Sequence, residues 1–115
     1  MDTLPGTSPV EADLFEMANL YPRTTGLPMT VWVSPHGGAR HDARVKVSVM
    51  GGDRMVPEGA AVVSIWPEPW LIEGELGRAE FAAVAGWIVA NRSALLAFWD
   101  GEIDTIALGQ KLVQV

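Results

Sequence analysis

The sequence predicts an α+β fold in two layers, an antiparallel sheet of three or four strands covered by one long helix. Three observations lead there. Residues 78–101 read RAEFAAVAGWIVANRSALLAFWDG, where Phe81, Val84, Ile88, Leu95 and Phe98 recur at three- and four-residue steps with Ala85 and Ala94 between them. That is one stripe of a 3.6-residue helix, broad enough to lie on a sheet. Upstream the apolar residues alternate instead: Val45, Val47 and Val49 face one way, Arg44, Lys46 and Ser48 the other, which is the period of a half-buried strand. Glycine and proline part these segments at short intervals, as turns require.

Taken in order, 1–8 is expected to be mobile, because Pro5 and Gly6 oppose regular structure. A short helix is expected over about 9–20, as an N-terminal extension reaching residue 22. Ser8 suits the cap, Pro9 the first turn and Glu11 a capping box, while Val10, Leu14, Met17 and Tyr21 keep helical spacing. Pro22 is expected to stop it. The segment 23–28 reads as a loop. Strands are expected at about 29–34, 43–50, 61–66 and 70–73, with Gly51-Gly52 as a hairpin turn signal. Pro67 and Pro69 stand between the last two, which puts an edge or a bend there. The main helix is expected over about 78–100. Glu80 in its first turn suits the helix dipole, and Gly101 falls at the C′ position. A short final helix is expected over about 105–112, capped by Asp104 or Thr105 and weakened at Gly109.

The chain of 115 residues is expected to form one domain, long enough to bury roughly two-thirds of its unfolded surface. With 49% hydrophobic and 19% charged residues it has the balance of a globular protein rather than a disordered one. The uncharged run 81–91 is shorter than the roughly 20 residues a membrane span needs, and no basic-then-apolar leader opens the chain. A cytoplasmic, non-membrane protein is the expectation. Cysteine is absent, which removes disulfides, thiolate zinc sites and cysteine nucleophiles together.

The net charge of −6 argues against a general nucleic-acid binder. Its distribution says more. Residues 1–22 carry four acids and no Lys or Arg. The window 23–54 carries Arg23, Arg40, Arg44, Lys46 and Arg54 against Asp42 and Asp53, and also holds both histidines, His36 and His41. A locally basic strand and loop in an acidic chain is the main electrostatic feature.

Arg40, His41, Arg44 and Lys46 are therefore the first candidate site. Arg44 and Lys46, two apart on a strand, share one side about 7 Å apart. Such a group suits a phosphate or an acidic protein face, with arginine as a planar fork and lysine as a point charge. The competing reading is that these are the solvated side of a sheet whose valines form the core. Trp32 lies on the polar face of its own strand, where it is expected to be a surface contact and to stack near Lys46 if the two strands pair.

His41 has the chemistry of a general base. Asp42, adjacent in an extended backbone, points elsewhere, and neither Ser34 nor Ser48 has a nucleophile elbow around it. No set of assembled catalytic roles is legible. Asp100, Glu102 and Asp104 alternate, but the glycine and glutamate positions of a calcium loop are not met, so helix-end and cap roles account for them. Pro35-His36-Gly37-Gly38 has neither phosphate-loop spacing. No metal and no cofactor is expected. Trp66 and Trp70 bracket Pro67-Glu68-Pro69 and form either an exposed aromatic rim, of the kind enriched at protein interfaces, or a seal on the end of the sheet. Trp87 and Trp99 flank the helix stripe and close the edges of the core.

At Ala39-Arg40-His41-Asp42-Ala43-Arg44-Val45-Lys46-Val47 and again over 87–101 (WIVANRSALLAFWDG), the chain resembles a group of small bacterial domains of unknown function, some found near prophage or toxin–antitoxin genes. The resemblance covers about 26–112 and leaves the acidic N-terminal residues outside. It implies a bacterial, cytoplasmic, accessory or regulatory part and assigns no catalytic residue. The sequence thus leads to a binding module whose basic side carries Arg40, His41, Arg44, Lys46 and Trp32, with a protein partner expected ahead of a nucleic acid or nucleotide. The alternatives are a small hydrolase or transferase with His41 as base, and a structural protein that dimerises through its exposed aromatics.

Overall fold

A computed structural model of the chain describes residues 17–35, 42–52 and 59–115. Its elements are β1 (Ala18–Leu20), α1 (Pro22–Thr25), β2 (Met29–Val33), β3 (Arg44–Gly51), β4 (Ala61–Ser64), β5 (Leu71–Glu73), α2 (Arg78–Trp99) and α3 (Thr105–Lys111). The five strands form one antiparallel meander in the order β1-β2-β3-β4-β5. The fold is α+β, with five strands where three or four were expected.

The extra strand replaces part of the expected N-terminal helix. Ala18 and Leu20 are buried and Asn19 is exposed, a period of two that suits pairing with Val33 and Val31 of β2. Pairing with a neighbour has overridden local helical spacing. Residues 9–16 of that expected helix, and the segment 1–8 expected to be mobile, lie outside the described residues. Pro22 does not end a helix but begins one, at N1 of α1, where its missing N–H costs nothing. The expected loop 23–28 accordingly holds most of that turn of helix.

The inward side of the sheet carries Val31, Val33, Val45, Val47 and Val63, which share one buried core with Val84, Trp87, Ile88, Leu95 and Phe98 of α2 and Leu108 of α3. The helix stripe is therefore the one read from the spacing, with Phe81 partly buried at its edge and Trp87 and Trp99 drawn fully into the core. By length and composition α2 is apolar enough to cross a membrane, more so than the uncharged run 81–91 suggested. In this fold its apolar side faces the sheet. Val49, third in the valine row, is 46% exposed, because it sits at the mouth of a depression between the sheet end and Leu76 and Glu80 at the start of α2. Gly51 and Gly52 are not the hairpin turn. β3 runs through Gly51, and Gly52 still bridges to Met29 and accepts from the Thr30 hydroxyl at 2.9 Å.

The C-terminus of α2 and the N-terminus of α3 are capped as their residues lead one to expect. The Gly101 N–H donates to Phe98 O at 3.1 Å and the Glu102 N–H to Ala97 O at 2.8 Å, the paired bonds of a Schellman motif with glycine left-handed at C′. Asp104 accepts from the Ala107 N–H at 2.8 Å and caps α3.

Inside α2, Asn91 departs from helical geometry, with φ −118° and ψ 15°. Its amide nitrogen donates to Trp87 O at 2.9 Å and to Val113 O at 3.0 Å, while its oxygen accepts from the Val113 N–H at 2.7 Å. A buried asparagine thus breaks the helix and pins the segment after α3 to it. That segment continues to α1, where the Val115 N–H donates to Thr25 O at 3.1 Å and Gln114 Nε2 to Arg23 O at 2.6 Å.

Two glycines of positive φ make a paired test of how tightly the sheet is closed. A Cβ on Gly74 (φ +83°) would lie 2.8 Å from Ala61 Cα, whereas one on Gly101 (φ +77°) would meet open space. Gly74→Ala is expected to cost about 2 kcal/mol from strain plus overlap, and Gly101→Ala about 1 kcal/mol from strain alone. Urea denaturation measures both, and equal costs would show that the backbone at Ala61 moves aside freely.

Candidate functional site

β3 turns Arg44 and Lys46 to the outward side of the sheet because Val45 and Val47 occupy the inward one. Register then fixes their neighbours. Asn19 pairs with Trp32, Trp32 with Lys46, Lys46 with Val62 and Val62 with Glu73, so one row crosses all five strands. The expected juxtaposition of Trp32 and Lys46 is a direct cross-strand pair.

The outward face is not the open basic surface that alternation alone suggests. Trp32 is only 5% exposed, and Thr30, Ser48, Val62 and Ser64 are buried too. Trp32 is therefore not a surface contact. Alternation gave its side of the sheet correctly, but burial on that side depends on what packs there. Lys46 remains exposed and makes no ion pair among the described residues. Arg44 is half-buried, and its Nε donates to Asp42 O at 3.0 Å, which turns the guanidinium back along its own chain.

Lys46, Val62 and Glu73 line one depression of about 210 Å³ with Gly59, Ala60 and Gly74. It offers one cation and one carboxylate. Glu73 was not singled out from sequence, although its place in the last short strand put it within reach of this face. Arg40 and His41 lie outside the described residues, as does His36. Among the described residues no group of three His, Asp or Glu side chains is placed to hold a metal ion.

A second exposed feature stands at the β4–β5 turn. The buried Ser64 hydroxyl donates to Glu68 O at 2.5 Å and accepts from the Trp70 N–H at 3.0 Å, and the Ser64 N–H donates to Trp70 O at 2.9 Å. This clasp holds the turn from Trp66 to Trp70, with a cis bond before Pro67. The two rings are left 37% and 53% exposed, a rim rather than a seal. Comparison with protein-family models, with curated proteins and with solved structures found no match for this chain.

Proposed function

We propose that this protein is a non-catalytic binding module of the cytoplasm, accessory or regulatory in role, which contacts an acidic protein face through the outward side of β3. The observation that supports this reading is Lys46, exposed on the central strand with no ion pair among the described residues, on the same side as the half-buried Arg44. Arg40 and His41 precede that strand in sequence. A phosphate-bearing ligand has the same chemistry as its recognised group and separates from a protein partner by direct titration.

The test is an amide-resolved NMR titration with short duplex DNA, single-stranded DNA, a mononucleotide and an acidic peptide at two salt concentrations. Salt-sensitive shifts at 40–47 are expected with the acidic peptide. Shifts with the mononucleotide alone would make the ligand a phosphate compound, and no shifts with any probe would retire the basic face. The double variant Arg44→Ala/Lys46→Ala is expected to fold with stability within about 1 kcal/mol of the parent, because neither side chain enters the core. Thermal denaturation checks this, and a larger loss would mean that the pair is structural.

The clasped tryptophans favour a second reading, a homodimer joined through Trp66 and Trp70. Light scattering over a hundredfold range of concentration should then show mass rising with concentration, and Trp70→Ser should abolish the rise. A constant monomer mass removes this reading.

A further inference from the structure

The span 81–99 carries a single charged side chain, Arg92, and the span 105–115 carries a single one, Lys111. The two line the same groove, about 250 Å³ in volume, at the break in α2, together with Val89, Asn91 and Ser93. The helical layer thus brings its two isolated charges to one place. Both are positive in a chain of net charge −6. No acid lines the groove, and neither cation makes an ion pair among the described residues.

Arg92 Nε is shielded from solvent and has no acceptor, so the guanidinium faces the groove with its two terminal nitrogens. Two like charges lining one groove without a counter-ion carry a cost, and an anion between them reverses its sign. Lys111 in the last turn of α3 also suits that helix's dipole. Arg92, in mid-helix, has no such account.

The backbone that carries the two is held by a neighbour that cannot itself be the ligand's donor. Asn91 commits its amide nitrogen to Trp87 O and Val113 O and its oxygen to the Val113 N–H. Arg92 follows Asn91 directly, and Lys111 stands two residues before Val113. The tether therefore fixes the two stretches of backbone that carry the cations, which lowers the ordering cost of binding.

We propose that the groove at the α2 break binds the phosphate group of a small phosphate monoester. The two terminal nitrogens of the Arg92 guanidinium supply a planar pair of donors, the Lys111 ammonium a point charge and the Ser93 hydroxyl a further donor. Two cations match the charge of a phosphate dianion, whereas a carboxylate would leave one unbalanced. The site lies apart from Arg44 and Lys46 in sequence and on other elements, and does not depend on the role proposed for them.

The experiment is an NMR titration of the full chain with phenyl phosphate, inorganic phosphate and acetate at equal ionic strength. Saturable shifts are expected at 89–94 and 110–113 with phenyl phosphate and with inorganic phosphate, the ester binding at least as tightly. Lys111→Ala, an exposed change that leaves the core untouched, is expected to weaken binding about tenfold, and Arg92→Ala to remove saturation. Lys46→Ala should leave these shifts as they are, so that loss of the β3 face and loss of this groove are told apart. Shifts linear in concentration, or unchanged in Lys111→Ala, would overturn the site. Acetate binding as tightly as phosphate would overturn the phosphate assignment, and exclusion of phenyl phosphate would overturn the monoester.

Discussion

Asn91→Leu is expected to lower the unfolding free energy by about 4 kcal/mol, because it removes three hydrogen bonds at once, one buried and two part-buried. The side chain is 3% exposed, and its three hydrogen bonds satisfy Trp87 O and both the N–H and C=O of Val113. Leucine has similar bulk and better helix propensity, so neither a large cavity nor a poor helix former explains the loss. What remains is the unpaired backbone. A chain of this size should show a fall of roughly 15 °C in its melting temperature. Hydrogen exchange gives the more specific readout: the Val113 and Val115 amides should lose protection ahead of the core strands. A stability change below about 1 kcal/mol would mean that water replaces the side chain freely at this site.

Ile88→Ala is expected to cost about 3 kcal/mol, within the range for truncating a fully buried aliphatic side chain. Ile88 has no exposed surface and belongs to the core that joins α2 to the sheet. Its neighbour supplies the control. Val89 is 57% exposed, so Val89→Ala removes little buried area and gains helix propensity, and its effect should lie within about 0.5 kcal/mol of zero. Chemical denaturation of both variants decides the orientation of the helix. Similar costs at the two positions would show that α2 does not present a single face to the sheet.

Much of this fold was legible from spacing alone. The strands at 29–34, 43–50, 61–66 and 70–73 recur within two residues at each end as β2 to β5, and the helices at 78–100 and 105–112 recur as α2 and α3. Period and punctuation are local properties. Valines at every second position can bury one side of an extended chain only, and glycine at C′ can end a helix wherever the rest of the chain lies. The capping of α3 by Asp104 is local in the same sense.

The candidate site was less legible because its properties belong to pairs of segments. Trp32 was assigned to the correct side of its strand and opposite Lys46, yet its burial depends on what covers that side, which no spacing states. Glu73 came to share a depression with Lys46 only through the order of the strands. The segment Ala18–Leu20 lies in a stretch of helical spacing and has a strand's partners in space, and the partners prevailed.

Sequence by itself determined the class of the fold, the four central and following strands, both long-range helical boundaries and the absence of thiol chemistry, since each follows from residue type and near-neighbour order. Tertiary structure alone decided the first strand, the break at Asn91, the burial of Trp32 and the sharing of one groove by Arg92 and Lys111. Each of these requires a backbone or side-chain partner more than ten residues away, and the energy of such a pairing is not written in either segment on its own.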